Sequence, residues 1–278
     1  MILALSGKMG SGKNTTANII QYIIDSKESG FNLSESNYDD YIKNNHHLKC
    51  SFKQKSFAGK LKQIVALLTG CTVQDLESQE FKMKELGPEW DQSTQYNGKE
   101  CHECGTYGNT YVMSDKPTYR ELLQVVGTDA LRNVVHANVW VNALMADYKS
   151  KLTSKQIKRQ ENRLASDHDV FLGKDTIYHE KRTDKEVDSE LKKFINSGYP
   201  NWIITDLRFP NEAKAVEKAG GITIRVNRDN GTRAIDLNPH PSETSLDYHK
   251  FDYMIDNDGS LSDLVDKVKT ILIKEKVI

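Results

Sequence analysis

The sequence contains few of the features that mark secreted, membrane-spanning or nucleic-acid-coating proteins. Its 278 residues include only four cysteines, too few for a disulfide scaffold in a chain of this size. No apolar run approaches the length of a membrane span, and the apolar start is too short for the core of a signal peptide. The formal net charge is −1, so the overall charge predicts neither a nucleic-acid partner nor a membrane surface. These absences favour a protein of the reducing cytoplasm.

The composition nevertheless provides enough apolar residues for a sizeable core. Hydrophobic residues make up 37% of the chain, and 278 residues suffice for one large α/β domain or two small ones. We expect a single domain over residues 1–278, with an arm at about 70–148 and a charged insertion at about 149–199. Two helices on the outside of the protein would explain the charged stretch, because charge runs are usually solvated faces.

The first sixteen residues are typical of a strand, a glycine-rich turn and the start of a helix. Residues 7–13, GKMGSGK, fit the G-x-x-x-x-G-K part of the phosphate-loop pattern, in the setting that the pattern requires. Glycines let successive backbone N–H groups point at a phosphate, and the helix N-terminus adds partial positive charge. Lys13 would supply a full charge to the β- and γ-phosphates of ATP. The predicted ATP-binding residues are Gly10, Ser11, Gly12, Lys13, Asn14 and Thr15.

One position departs from the phosphate-loop pattern. Asn14 stands where a serine or threonine usually gives its hydroxyl to Mg²⁺, and Thr15 follows directly. Nucleoside monophosphate kinases of the adenylate-kinase kind often have the hydroxyl one place later, so we assign the magnesium contact to Thr15. The alternative interpretation of the whole motif is a glycine turn that only joins a strand to a helix.

A second informative element lies far along the chain, at residues 202–212. An apolar strand there ends in Asp206, and the carboxyl edge of a parallel sheet is where ligands bind. We therefore predict that Asp206 faces the metal and the phosphates, as a Walker-B acid does. Arg208, two residues on, could reach a transferring phosphoryl group. Glu212 opens the following helix, which ends at Gly220 and Gly221.

The helix that begins near Arg120 suggests a binding face for a second ligand. Arg120 and Gln124 are four residues apart and share one helical face, and Gly127 with Thr128 reads as a break in the helix. A guanidinium and an amide on one face would suit a phosphate and a base edge. A solvated helix face is the other interpretation of this stretch.

Two further patterns leave their function open. Cys101 and Cys104 have the C-x-x-C spacing of half a zinc site, although an exposed loop with two thiols explains them equally simply. A polar, proline-containing segment between two predicted strands lies where a lid could fold over a triphosphate, with a structural loop as the alternative. Its candidate lid residues are Arg228, Arg233, His240, Ser242 and Glu243.

Taken together, these motifs resemble the deoxynucleoside monophosphate kinases of tailed bacteriophages. The resemblance spans nearly the whole chain in order, and only the cysteine loop and residues 151–197 match poorly, as insertions would. The segments that carry it are residues 7–13, 56–58, 120–128, 140–141, 204–212, 240–243 and 255–257.

The resemblance implies a three-layer α/β phosphate-loop kinase fold with a parallel sheet, and transfer of the γ-phosphoryl group of ATP to a deoxynucleoside monophosphate. It implies a substrate-binding arm and a catalytic centre lined by Lys13, Asp206, Arg208 and Glu212, with Mg²⁺ on Thr15 and Asp206. It further implies small-molecule partners only, host cytoplasm as the location, and allows a homodimer. The substrate-binding residues it implies are Arg120, Gln124, Gly127, Thr128 and Trp140.

Two rival functions remain open at this point. A dephospho-coenzyme A kinase shares the phosphate loop, the acid-ended strand and the final Asp-Asn-x-Gly turn, but the segments 120–128 and 208–212 argue against it. A nucleotide-binding switch or an ATPase without an acceptor substrate is the alternative from a different class.

Overall fold

The computed structural model describes residues 1–44, 46, 49–91, 113–165, 168–171, 177–180, 183–228 and 244–278. The proposed zinc ligands Cys101 and Cys104 lie outside these residues. So do four candidate lid residues, which are Arg233, His240, Ser242 and Glu243.

The chain forms two compact units. The first combines Met1–Gln54 with Met145–Ile278, and the second is Lys55–Leu144. The predicted arm of residues 70–148 therefore falls almost entirely in the second unit, and the charged insertion falls in the first.

The first unit is built around a five-stranded parallel sheet. The strands are β1 (Ile2–Ser6), β2 (Phe52–Lys55), β5 (Asn201–Leu207), β6 (Ile222–Asn227) and β7 (Tyr253–Asp256), in the order β2-β5-β1-β6-β7. β1 pairs in parallel with β5 and β6, and β6 pairs in parallel with β7. Every residue of β1 is buried, as expected for the central strand of a sheet that is covered on both faces.

Helices cover both faces of this sheet. The helices of the first unit are α1 (Lys13–Ser29), α2 (Glu35–Lys43), α7 (Ser154–Ala165), α8 (Asp184–Ser197), α9 (Pro210–Lys218) and α10 (Leu261–Lys274). Leu3 and Leu5 share one buried cluster with α1 and α10, whereas Gly221 brings Val216 of α9 close to Ile2. Successive strand residues point to opposite faces, so α9 lies on the face opposite α1 and α10. The predicted three-layer α/β fold is confirmed.

The charged segment forms two helices that pack on each other, as its composition predicted. Along α7 and α8 only Leu164 is fully buried. Between these helices lies an antiparallel pair of strands that the sequence analysis did not predict, β3 (His168–Phe171) and β4 (Ile177–Glu180).

The second unit is helical in its described residues. It comprises α3 (Gly59–Thr69), α4 (Gln79–Lys82), α5 (Tyr119–Gln124), a π-helix (Val125–Val135) and most of α6 (Val139–Met145), with short 3₁₀ turns at Asp75–Glu77 and Pro88–Trp90. Phe81 and Tyr119 join α4 to α5, with ring centroids 4.6 Å apart. Across the described parts of the chain, no helix combines the length and the apolar character needed to cross a membrane.

Candidate active site

The turn between β1 and α1 has the backbone of a phosphate-binding loop. Gly7, Gly10 and Gly12 have φ angles of 152°, 75° and 95°, which side-chain-bearing residues rarely adopt. Space is equally restrictive, because a Cβ added to Gly7 would lie 2.3 Å from the carbonyl oxygen of Val226. The glycine pattern therefore reflects both conformation and close packing, neither of which a simple connecting turn would require.

Lys13, the first residue of α1, folds back over this loop. Its Nζ donates hydrogen bonds to the carbonyl oxygens of Gly7 at 2.6 Å and Lys8 at 2.8 Å. These contacts hold the ammonium group at the loop, where a bound phosphate would offer stronger, charged acceptors. Lys13 therefore lies at the loop, and its predicted role in binding ATP stays a prediction.

The residues that follow Lys13 differ in their freedom to bind a metal. The Thr16 hydroxyl is buried and donates to the carbonyl oxygen of Gly12 at 2.9 Å, which ties it to the first turn of α1. Thr15 is half-buried and Asn14 is exposed. A side-chain oxygen at Thr15 fits the oxygen preference of Mg²⁺ better than the engaged hydroxyl of Thr16.

Asp206 lies on β5, the strand beside β1, and its position depends on a bulge. Ala4 of β1 pairs with Ile204, but Ser6 pairs with Leu207, so β5 carries one extra residue over this stretch. After three buried residues, Thr205 and Asp206 are both partly exposed. A bulge releases successive side chains from strict alternation. Asp206 therefore stands at the carboxyl end of β5, next to the strand that leads into the phosphate loop.

The turn after β5 is organised by Glu212. This residue is only 2% exposed, and its Oε2 accepts hydrogen bonds from the backbone N–H groups of Arg208 at 2.9 Å and Phe209 at 3.1 Å. The carboxylate thus caps α9 from its third residue and fixes the backbone that carries Arg208. These contacts describe a positioning residue, and the predicted catalytic role of Glu212 stays a prediction.

Two strands on the other side of β1 supply contacts to the loop that the sequence did not reveal. The Asn257 side chain, just after β7, donates from Nδ2 to the carbonyl oxygen of Ser11 at 3.0 Å. Arg225 of β6 is 9% exposed and donates to Ser6 Oγ at 3.2 Å and to Asp247 Oδ1 at 2.9 Å. The Asp-Asn-x-Gly turn was visible as a motif, but its contact spans 246 residues and has no local signal.

The predicted substrate-binding residues begin on α5 in the second unit. Thr118 and Glu121 form a capping box at its start, in which Glu121 Oε2 accepts from the Thr118 backbone N–H at 2.8 Å. Burial acts to raise the pKa of Glu121, but hydrogen bonds from Thr118 and Ser114 outweigh it and lower this pKa below its ordinary value. Arg120 follows the cap and donates from Nη2 to Gln79 Oε1 at 2.7 Å. Arg120 therefore lies in the first turn of a helix whose start is stabilised by the capping box.

The predicted helix break at Gly127 is wrong. The chain continues through Gly127 as a π-helix that ends at Val135, and the His136 N–H bonds to the carbonyl oxygen of Leu131, five residues back. Gly127 instead allows close packing, because a Cβ there would lie 2.6 Å from Leu61 Cδ2. Thr128 and Gln124 are both half-buried, but the wider turn after Gln124 shifts Thr128 from its α-helical position.

Trp140 lies in the interior of the second unit. It is 5% exposed, and its Nε1 donates to the carbonyl oxygen of Gly127 at 2.7 Å. The indole N–H is thus engaged by the protein itself, which supports the π-helix from within. Trp140 and Gly127 lie together as framework residues, whereas Arg120, Gln124 and Thr128 keep accessible surface.

Comparison with known proteins finds similarity to a family model and to phage proteins. A family model described as deoxynucleotide monophosphate kinase matches residues 171–268. The chain is similar to phage deoxynucleotide monophosphate kinases. It is 28% identical over 160 residues to the deoxynucleotide monophosphate kinase of Enterobacteria phage T4, and 24% identical over 160 residues to that of Escherichia phage RB69. Each match covers 58% of this chain and 47% of the relative, so the chain spans about half the length of these curated relatives.

These matches confirm the resemblance seen in the sequence. The region matched by the deoxynucleotide monophosphate kinase family model contains Asp206, Arg208, Glu212 and Asn257. The phosphate loop and α5 precede that region, so their assignment depends on their own geometry.

Proposed function

We propose that this protein is a kinase that transfers the γ-phosphoryl group of ATP to a deoxynucleoside monophosphate, giving ADP and a deoxynucleoside diphosphate. The observation that carries the proposal is that β1 leads through the glycine loop to Lys13, while Asp206 lies near the carboxyl end of β5, which pairs in parallel with β1. Similarity to the phage kinases supports the choice of acceptor. The product would supply precursors for DNA synthesis in the cytoplasm of the host.

The proposed mechanism consists mainly of positioning and charge neutralisation, because phosphoryl transfer needs little covalent chemistry from the protein. The backbone N–H groups of the loop would hold the β-phosphate, and Lys13 would exchange its carbonyl partners for β- and γ-phosphate oxygens. Arg208 would stabilise charge on the transferring group. Glu212 would hold the backbone of Arg208 in place while this happens.

Magnesium would take oxygen ligands from two residues of this chain. We assign it to the Thr15 hydroxyl and the Asp206 carboxylate, which match the ligand chemistry of Mg²⁺. When bound, the ion would neutralise charge on the phosphate oxygens. Among the described residues no group of three or more His, Cys, Asp or Glu side chains could hold a metal ion by itself.

The acceptor nucleotide would be bound by side chains of the second unit. Arg120 offers a guanidinium for its phosphate, while Gln124 and Thr128 offer amide and hydroxyl groups for polar contacts. Gly127 and Trp140 would act by keeping the π-helix in shape. Their part in substrate binding would then be indirect.

A coupled assay of ADP formation tests the proposal directly. ATP and Mg²⁺ would be supplied with each deoxynucleoside monophosphate in turn, with dephospho-coenzyme A and an acceptor-free reaction as controls. We expect turnover that depends on one or more of the monophosphates. Turnover with dephospho-coenzyme A alone, or hydrolysis that no acceptor changes, would favour the corresponding rival function. Light scattering of the same preparation tests whether the protein forms a homodimer.

A further inference from the structure

We propose that Asn257 is a positioning residue for the phosphate loop, and that it sets the affinity for ATP without touching the acceptor nucleotide. The proposal rests on the proposed function and names a residue that holds the shape of the nucleotide site. Asn257 follows β7 directly, 246 residues from its partner in the loop.

The side chain of Asn257 is itself held on a fixed support. Its backbone N–H donates to the carbonyl oxygen of Asn227 at 2.7 Å, which continues the ladder between β6 and β7 by one bond. From this anchored position the side-chain Nδ2 reaches the Ser11 carbonyl at 3.0 Å. The partly exposed Asn257 thus connects the end of the β6–β7 ladder to the loop.

The hydrogen bond from Asn257 orients the peptide unit between Ser11 and Gly12. A peptide unit is planar, so holding the Ser11 carbonyl oxygen on the Asn257 side turns the N–H of Gly12 to the opposite side. Gly12 immediately precedes α1, and the N–H groups at a helix N-terminus are the donors that bind phosphates. Asn257 would therefore keep this donor aligned before a nucleotide arrives.

The glycine at position 12 fits the same role. With φ of 95°, Gly12 adopts a left-handed conformation, and a Cβ at this residue would lie 2.3 Å from Asn257 Nδ2. The amide thus occupies the space that any other side chain would need. Asn257 therefore meets the loop in two ways: its amide binds the Ser11 carbonyl oxygen, and it fills the space beside Gly12.

Two variants of Asn257 and one control separate this role from simple structural support. Asn257→Leu keeps approximate size but removes the donor. Asn257→Asp keeps the shape but places an acceptor and a negative charge against the Ser11 carbonyl. Asn227→Asp makes the same charge change at the neighbouring strand end, where the side chain contacts Asp256 and not the loop.

The primary measurement is calorimetric binding of ADP with Mg²⁺, with thermal unfolding as the check on folding. We expect Asn257→Leu to weaken ADP binding by about tenfold, because the hydrogen bond to the Ser11 carbonyl oxygen is lost and the Gly12 N–H is no longer held in alignment. Asn257→Asp should weaken it more, and added salt should reduce that excess. Asn227→Asp should remain within about twofold of the natural protein.

Steady-state kinetics then localise the effect. KM for ATP should rise in both Asn257 variants while KM for the monophosphate stays constant. Folded Asn257 variants that bind ADP as well as the Asn227→Asp control would overturn the proposal, and so would equal rises in both KM values. If the natural protein binds ADP but phosphorylates no monophosphate, the kinase function fails, whereas the ADP affinities still decide the role of Asn257.

Discussion

The phosphate loop and the helix that carries Arg120 are built on different principles. The loop obtains its shape from the backbone, through glycines with positive φ and through carbonyl oxygens bound by Lys13 and Asn257. The helix obtains its shape from packing, because Leu61 lies against Gly127 and the Trp140 indole bonds to the Gly127 carbonyl. A backbone requirement restricts residue types at fixed spacing, and so it can be read from a sequence. A packing requirement restricts only pairs of distant residues.

The two regions should differ most in how the kinetics change when their positively charged side chains, Lys13 and Arg120, are removed. Lys13→Met should lower kcat by about 10³-fold, because the charge that balances the transferring phosphoryl group is lost. Arg120→Met should chiefly raise KM for the monophosphate. Steady-state kinetics with both substrates varied distinguish these outcomes, and a Lys13→Met protein with near-normal kcat would remove Lys13 from the chemistry.

Replacing one glycine in each region with alanine tests the backbone-against-packing contrast itself. Gly12→Ala should cost about 2–3 kcal/mol of the free energy of unfolding, because the residue has positive φ and its new methyl group would meet Asn257. Gly127→Ala should cost about 1 kcal/mol, since the Leu61 side chain can move aside. Urea unfolding measures both values. Equal costs would show that the two glycines serve the same purpose.

The sequence revealed the two regions to different degrees for this reason. The loop, Lys13 and the acid-ended strand with Asp206 were predictable, because each depends on residue types at short spacing. The π-helix was not, since the periodicity of residues 120–128 is equally compatible with an α-helix and only tertiary packing decides. The bulge at Thr205 and Asp206 was hidden as well, because it exists only in the register between β5 and β1.

Each of the two units also has a glutamate that caps a helix, which allows a matched comparison. Glu212 is buried and accepts two backbone N–H groups, whereas Glu121 is partly exposed. Glu212→Ala should lower the free energy of unfolding by about 2–3 kcal/mol, and Glu121→Ala by about 1 kcal/mol. Urea unfolding checks the difference. If a fully stable Glu212→Gln protein lost most of its kcat, Glu212 would take part in catalysis directly.

Trp140→Phe examines whether the aromatic residue of the second region is framework or ligand contact. The change removes the hydrogen bond to Gly127 but keeps an aromatic ring, so we expect a loss of about 1–2 kcal/mol in the free energy of unfolding. KM for the monophosphate should change little. A large rise in that KM with an unchanged free energy of unfolding would indicate that Trp140 contacts the monophosphate.

The smallest expected effect concerns pH and the capping box of α5. The pKa of Glu121 is lowered in the folded protein, so its ionised form contributes stability above the unfolded pKa near 4.5. That contribution disappears as the pH falls through the lower, folded pKa. The difference in Tm between the natural protein and Glu121→Gln should therefore narrow as the pH falls from 7 through this range, as thermal unfolding in a pH series would reveal. A constant difference would contradict the assignment.

The extra residue in β5 has a consequence for comparing this strand with others. Before the bulge, even-numbered residues of β5 pair with even-numbered residues of β1, as Ile204 does with Ala4. After the bulge, the odd-numbered Leu207 pairs with the even-numbered Ser6. An alignment that treats β5 as a regular strand would therefore assign Asp206 or Leu207 to the wrong side. A single inserted residue thus changes how every later residue of β5 is matched to the residues of β1.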